Sequence, residues 1–237
     1  MGLKFEEQRR FVVGVDLGQA HDPTAIAVIE HVRWRINPES RDLVLATGRR
    51  EWIEEWKREL REDESKRTQY NVRHLERLAL GTHYPAQVAY IADLVRRAPL
   101  KDARVFYDHT GVGRAVGDLL HQARIPKLHR VHLTGGTESK AAGSTHAVSK
   151  VDLVSRLQAV LHTGELAIEQ SLPDATTLAR ELADYKLNFS AAGNAQFNAR
   201  SGAHDDLLIA TGLALYGCQS GREAVVMSLS WATRGLS

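Results

Sequence analysis

The chain has 237 residues, of which 43% are hydrophobic and 25% are charged, and its net charge is +2. It is long enough to bury a substantial core, its composition excludes disordered and fibrous proteins, and its charge is too weak to indicate a polyanionic partner by itself. Cys218 is the only cysteine, which excludes an intramolecular disulfide, and no stretch reaches the roughly 18 apolar residues of a membrane span. We expect one globular domain over residues 1–237, in the cytoplasm and not in a membrane.

The N-terminal part of the chain predicts a β-hairpin. Residues 11–15 form a short apolar, β-rich run that ends at Asp16, and residues 24–29 form a second run of the same kind. Gly18 and Pro23 lie between the two runs, as expected of a turn.

An insertion follows the hairpin. Residues 41–70 mix basic and acidic side chains with apolar residues at helical spacing around Trp52, which predicts a helical insertion. A third strand is expected within residues 72–83. After Pro85, apolar residues recur at i, i+3, i+4 and i+7, which predicts a helix packed on a sheet.

Strands and helices then alternate. Residues 104–107 predict a buried strand that ends at Asp108, and after a glycine-containing turn residues 114–124 predict a helix. Residues 128–133 predict a fifth strand. The Gly-, Ser- and Thr-rich residues 134–145 predict a surface loop.

The next segment predicts two helices and a hairpin. Ser149 is expected to cap a helix that ends near Gly164, and another helix follows Pro173. Residues 185–189 and 195–199 predict a second hairpin.

The last helix is predicted to begin at His204. Residues 207–216 are apolar on nearly every side, as expected of a helix that is buried against a sheet. Residues 218–237 follow as a C-terminal tail. This order of elements predicts an α/β fold.

Four acidic residues lie at the ends of predicted elements. Asp16 closes the first strand, Asp108 closes the fourth, and Asp205 and Asp206 open the last helix. Because groups at the carboxyl ends of strands converge on one edge of an α/β sheet, we expect these acids to meet there. Gathered carboxylates repel one another and persist mainly around divalent cations, and oxygen ligands favour Mg²⁺ or Mn²⁺. Two such ions about 3.5 to 4 Å apart support phosphodiester hydrolysis.

Each acid also has a structural explanation. Asp16 and Asp108 could simply end their strands, and Asp205 and Asp206 could interact favourably with the helix dipole. All four border strongly apolar segments, where a charge is otherwise costly, and for this reason we favour a shared site.

Three segments resemble the nuclease motifs of phage terminase large subunits. In chain order they are VGVDLG at residues 13–18 with DPTAI at 22–26, FYDHTGVG at 106–113, and GAHDDL at 202–207. Residues 149–154, 164–166 and 178–182 resemble further segments of that nuclease domain in the same order. The resemblance therefore extends over most of residues 11–217.

The resemblance implies an RNase H-like mixed β-sheet flanked by helices, in which Asp16, Asp108 and Asp205 or Asp206 hold two Mg²⁺ or Mn²⁺ ions. The implied activity is endonucleolytic cleavage of concatemeric viral DNA during genome packaging, which leaves 3′ hydroxyl and 5′ phosphate ends. The implied partners are double-stranded DNA, a terminase ATPase motor domain, a small terminase subunit and a portal. The chain has no G-x-x-x-x-G-K-[ST] motif, so the resemblance concerns the nuclease alone, and the helical insertion does not map onto the family pattern.

Four further residues are candidates for supporting roles. Lys150, in the first turn of its predicted helix, could contact the scissile phosphate, and His204 could orient a ligand or a phosphate. Asp22 could support a metal ligand, and Arg114 could meet a DNA phosphate. Each of them is also explained as an ordinary solvated, capping or turn residue.

Other functions are open from sequence alone. A Holliday-junction resolvase of the same fold class would use the same carboxylates, although it usually depends on a dimer. The turn after Asp16 also resembles the phosphate loop of actin-like ATPases, which need a second, similar lobe. The glycines after Asp108 weakly resemble a dinucleotide site, whose acid about 20 residues further on is missing. A non-catalytic binding module is the remaining alternative.

Overall fold

A computed structural model describes residues 5–18, 22–36, 68–136, 139–184, 186–189, 195–198 and 205–220. The strands in these ranges are β1 (Phe5–Asp16), β2 (Ala25–Ile36), β3 (Thr68–Arg77), β4 (Arg104–Asp108), β5 (Leu128–Thr134), β6 (Lys140–Ala142), β7 (Thr145–Ser149), β8 (Leu166–Ile168), β9 (Lys186–Phe189) and β10 (Ala195–Asn198). The α-helices are α1 (Tyr84–Arg96), α2 (Gly113–Gln122), α3 (Lys150–His162), α4 (Ala175–Asp184) and α5 (Asp206–Gln219). Within the described part of the chain, none of the helices combines the length and the apolar character that crossing a membrane requires.

Eight of the described strands form one mixed sheet in the order β6-β7-β5-β4-β1-β2-β3-β8. β1, β2 and β3 are antiparallel neighbours, whereas β4, β5 and β7 extend the sheet from β1 as parallel strands. β8 is parallel to β3, β6 is antiparallel to β7, and β9 and β10 form a separate antiparallel pair. The sheet and its helices confirm the predicted α/β architecture.

The strands alternate their side chains between two helical layers. Val13 of β1 belongs to one core cluster with Ile91 of α1 and Leu120 of α2. Val12, its neighbour, belongs to the other cluster with Leu213 of α5. Both faces of the central strands are therefore buried, as is usual for parallel strands.

Helix α5 lies in the centre of the second layer. Every residue from Asp206 to Cys218 is buried, which agrees with the prediction of a buried last helix. Gly14 of β1 makes this contact possible, because a Cβ atom there would lie 1.9 Å from the carbonyl oxygen of Ala210. The helix consequently packs directly on the strand that ends at Asp16.

Several predicted elements are confirmed. β1 and β2 form a hairpin, a helix follows Pro173, and β9 and β10 pair as the second predicted hairpin. Ser149 caps α3, since its Oγ accepts a hydrogen bond from the backbone N–H of Asp152 at 3.4 Å.

Two segments differ from their prediction. β3 begins at Thr68, so residues 68–70 belong to the sheet, while residues 41–67 of the predicted insertion lie outside the described part of the chain. The stretch 134–145, predicted as a loop, contains β6, which pairs with β7. All three residues of β6 are exposed, so its sequence carries no apolar alternation.

The last helix begins at Asp206 rather than at His204, and it continues to Gln219, into the predicted tail. The short strand β8 was not predicted, because three residues are too few to establish a period.

Candidate active site

Asp16 and Asp108 stand side by side at one edge of the sheet. β1 and β4 are neighbouring parallel strands whose register pairs Val15 with Tyr107, so an aspartate is the next residue on each strand. Neighbouring strands lie about 4.8 Å apart. Both aspartates are partly buried.

Helix α5 brings Asp205 and Asp206 to the same edge. Gly217, near its C-terminus, packs on Val12 of β1, whereas its middle packs on Gly14, closer to the end of the strand. The helix therefore runs antiparallel to β1, and its N-terminus points to the edge that carries the strand-end aspartates. Asp205 is partly buried, and Asp206 is 7% exposed.

Lys150 adds a positive charge to this group. Its Nζ atom lies 2.7 Å from Oδ2 of Asp205. Lys150 is the first residue of α3, directly after Ser149, which ends β7 and is fully buried. The strand end and the helix cap together fix the backbone from which the lysine extends.

The electrostatics of Asp16 show that these residues form one cluster. The pKa of Asp16 is raised well above its usual value, first by removal of the carboxylate from solvent and then by repulsion from Asp108, Asp206 and Asp205. The charge of Lys150 opposes this rise. The site thus concentrates negative charge that one lysine balances only in part.

Thr110 holds the Asp108 carboxylate. Oδ1 of Asp108 accepts hydrogen bonds from the backbone N–H of Thr110 at 2.8 Å and from its hydroxyl at 2.5 Å. An aspartate that bonds the backbone two residues ahead is a common turn motif. The D-x-T pattern in the second motif was the sequence signal for this contact, which was not predicted.

Glu181 reaches the N-terminus of α5 from α4 and was also missed. Its side chain is buried, and Oε2 accepts a hydrogen bond from the backbone N–H of Leu208 at 2.8 Å. Among the described residues, Oε1 has no hydrogen-bond partner. Burial raises the pKa of Glu181 to about 7; the hydrogen bond from Leu208 opposes the rise, and repulsion from Asp206 and Asp205 adds to it. An acid on the apolar face of a helix, one turn after Leu178, was the available signal.

The donor set fits a hard divalent cation in its chemistry. In the described part of the chain, no three His, Cys, Asp or Glu side chains are placed closely enough to form a complete metal-binding group. Four carboxylates nevertheless meet at this edge, and a cation would relieve the repulsion that raises the pKa of Asp16. Because Oδ2 of Asp205 bonds Lys150, a cation would bind the other oxygen of this carboxylate or compete with the lysine for Oδ2.

The remaining predicted site residues are placed differently. Asp22 is exposed. Its backbone carbonyl oxygen lies close to Gly18, the second residue after Asp16, because a Cβ atom on Gly18 would lie 2.0 Å from that oxygen. Arg114 is exposed in the first turn of α2, which follows β4. His204 lies outside the described residues. Supporting roles for these three residues remain predictions.

Comparison with known proteins gives similarity in structure only. No family model matches the chain, and no curated protein matches it. Solved structures do match it. The large terminase nuclease of the thermophilic phage G20c with bound magnesium has 21% identity and a TM-score of 0.57, covering 88% of this chain and 82% of that one. The same nuclease with bound cobalt gives the same identity and TM-score. The large terminase nuclease domain of Thermus phage P74-26 has 20% identity and a TM-score of 0.54, covering 87% of this chain and 78% of that one.

The protein therefore has the fold of phage large-terminase nuclease domains, over nearly nine tenths of its length. This confirms the fold that the sequence motifs implied. At this level of identity the similarity shows the fold, and the function follows from the site.

Proposed function

We propose that the chain is a metal-dependent DNA endonuclease that cuts concatemeric viral DNA during genome packaging. The observation that carries the proposal is the gathering of four aspartates from two parallel strands and one helix N-terminus, where burial and then repulsion from the other three raise the pKa of Asp16. Strongly perturbed carboxylates in one cluster are typical of catalytic and metal-binding sites. The nuclease structures with bound magnesium and bound cobalt support divalent-metal use by this fold.

Asp16, Asp108, Asp205 and Asp206 would hold two Mg²⁺ or Mn²⁺ ions. When bound, such cations supply Lewis acidity toward a phosphodiester. The carboxylates must be ionised to bind them, so the raised pKa of Asp16 makes cation binding weaken as the pH falls. The two hydrogen bonds from Thr110 keep the Asp108 carboxylate in place.

Lys150 is the cationic group that could meet the scissile phosphate. Its ammonium is bonded to Asp205, at the cluster itself, and its side chain is one third exposed. Arg114, exposed on the helix that follows β4, would contact the DNA backbone further along. We also propose supporting roles for Asp22 and His204, as their positions in the sequence motifs suggest.

The proposed biological setting is the host cytoplasm. The substrate is double-stranded DNA, and the products carry 3′ hydroxyl and 5′ phosphate ends. An ATPase motor domain, a small terminase subunit and a portal are the proposed partners.

Cleavage of supercoiled plasmid by the purified chain tests the proposal. The reaction would be run with Mn²⁺, with Mg²⁺ and with EDTA, beside Asp16→Ala and Asp108→Ala. Asp118→Asn, an exposed acid on α2, is the matched control. We expect metal-dependent nicking and linearisation that both alanine variants lose and the control keeps. Cleavage in EDTA, or full activity of Asp16→Ala, would contradict the proposal.

A four-way junction assayed in parallel separates the resolvase alternative. A terminase-type nuclease cuts plain duplex, whereas a resolvase cuts the junction in strong preference to duplex. Product ends that carry a 3′ phosphate would exclude the proposed chemistry.

A further inference from the structure

Helix α5 carries two of the four carboxylates, and its first turn is capped in an unusual way. The residue before a helix, when it is an aspartate, commonly accepts a hydrogen bond from the N–H of the second or third helical residue. Asp205 occupies this position but makes no such bond. Its Oδ2 atom instead bonds Lys150 at 2.7 Å. The N–H of Leu208, the third helical residue, donates to Glu181 of α4.

Glu181 can supply this cap because its helix is anchored in the same core as α5. Leu178, one turn earlier on α4, is fully buried in a cluster that also contains Leu207 and Leu208. The bond from Leu208 to Glu181 is itself buried and measures 2.8 Å. Losing the acceptor would leave a buried N–H unsatisfied, which is costly. The first turn of α5 is thus held by α4.

We propose that Glu181 is a positioning residue that caps α5 from α4 and so leaves the Asp205 carboxylate available to the site while holding Asp206 at the sheet edge. The inference rests on the proposed function in that the site is taken to bind a divalent cation. An aspartate engaged in its own helix cap has one oxygen and its orientation committed to that bond, so a cation must use the other oxygen or displace the cap. Placing the cap on a second helix removes this competition.

Two substitutions at position 181 separate capping from charge and from packing. Glu181→Met has a similar shape but lacks the acceptor, whereas Glu181→Gln removes the charge and keeps an oxygen that can accept from Leu208. Leu178→Ala damages the same helix in the core without touching the cap. Asp184→Asn, an exposed acid on α4, is the matched surface control.

Two readouts on the full chain test the proposal. The first is hydrogen exchange of the Leu208 amide, followed by NMR in EDTA. The second is Mn²⁺ affinity from the electron paramagnetic resonance signal of free Mn²⁺, at a temperature where every variant is folded. For Glu181→Met we expect at least about tenfold faster exchange at Leu208 and Mn²⁺ binding weakened by about 10- to 100-fold.

The other variants give the contrast. Glu181→Gln and Asp184→Asn are expected to stay within about threefold of the wild type in both measurements, because the acceptor is kept. Leu178→Ala is expected to lower the melting temperature and to leave the Mn²⁺ affinity of the folded protein within the same limit.

Three results would overturn the proposal. They are unchanged Leu208 exchange in Glu181→Met, equal loss of Mn²⁺ affinity in the Gln and Met variants, and an equal loss in Leu178→Ala. A wild-type chain that binds no Mn²⁺ would defeat the proposed function and the positioning role together. Exchange at Leu208 would still decide whether Glu181 caps the helix.

Discussion

The two ends of helix α5 are built in opposite ways. At the C-terminal end, Arg104 donates to the carbonyl oxygen of Ser220 at 3.0 Å and also to that of Gly217, and Arg10 donates to that of Cys218. Positive charge thus meets the partial negative charge of the helix end and satisfies its last carbonyls. This end has the features of a structural anchor.

At the N-terminal end, negative charge is also favoured by the helix dipole, but far more of it is present than a cap requires. Asp205 and Asp206 adjoin Asp16 and Glu181, and the pKa values of Asp16 and Glu181 are both raised, first by burial and then by repulsion from neighbouring carboxylates. Mutual repulsion of this kind lowers stability and is typical of functional sites. The comparison indicates that one end of the helix serves the fold and the other serves chemistry.

The largest expected effect is the response to Asp16→Asn. Cleavage should fall at least about 1000-fold, equivalent to about 4 kcal/mol, because a ligand is lost. The free energy of unfolding in EDTA should rise, since the change removes a partly buried carboxylate whose ionised form is disfavoured by burial and by repulsion from three other carboxylates. Single-turnover plasmid cleavage and urea unfolding measure the two quantities. A variant that is less stable than the wild type in EDTA would contradict the inference that repulsion among the carboxylates at the N-terminal end of α5 lowers stability.

The pH dependence of stability should reveal Glu181. Its folded-state pKa of about 7 lies above the ordinary 4.5, so its protonated form stabilises the fold. That contribution is complete below about pH 4.5, is lost as the pH rises through 7, and amounts to about 3 kcal/mol. The Glu181→Gln variant lacks this pH-dependent contribution to stability, because its side chain does not titrate.

The check is urea unfolding of the wild type and Glu181→Gln in EDTA from about pH 4 to about pH 8. The wild type should lose stability relative to the variant across this interval. Parallel curves would show that the carboxylate is not held in an unfavourable environment.

At the opposite end of α5, Arg104→Ala should affect stability alone. Removing the two hydrogen bonds to the last turn is expected to lower the free energy of unfolding by about 2 kcal/mol. Cleavage by the folded protein should be unchanged, because this residue contacts the far end of the helix. Arg104→Lys, which keeps the charge, should lose about half as much stability. A matching loss of cleavage at a temperature where the variant is folded would contradict the inference that the C-terminal end of α5 contributes to stability alone.

The elements that carry the aspartates could be predicted because each is signalled locally. Asp16 and Asp108 follow short apolar runs, and Asp205 and Asp206 precede a segment that is apolar on every side. The parallel pairing that brings the strand ends together depends on sheet order, which the apolar runs alone do not specify. The family resemblance implied a mixed sheet of the RNase H-like kind, and the structure gives the order.

Other features depend on contacts between distant residues and have no local signal. Glu181 and Leu208 are 27 positions apart, and only the packing of α4 on α5 makes one cap the other. The β6 strand has three exposed residues between glycine- and serine-rich turns, so composition indicated a loop. β3 begins four residues before its predicted window, because strand pairing with β2 extends beyond its apolar alternation.

The smallest and most discriminating effect is expected from Lys150→Gln. The lysine competes with a cation for Oδ2 of Asp205, 2.7 Å away, so its removal should tighten Mn²⁺ binding at about pH 8 by about threefold. Loss of a phosphate contact should at the same time slow cleavage by about tenfold, or about 1.4 kcal/mol. Lys101→Gln, an exposed lysine far along the chain, is the control. If Mn²⁺ binding and cleavage both weaken, Lys150 only organises the carboxylates. If Mn²⁺ binding tightens while cleavage slows, Lys150 contacts the substrate phosphate.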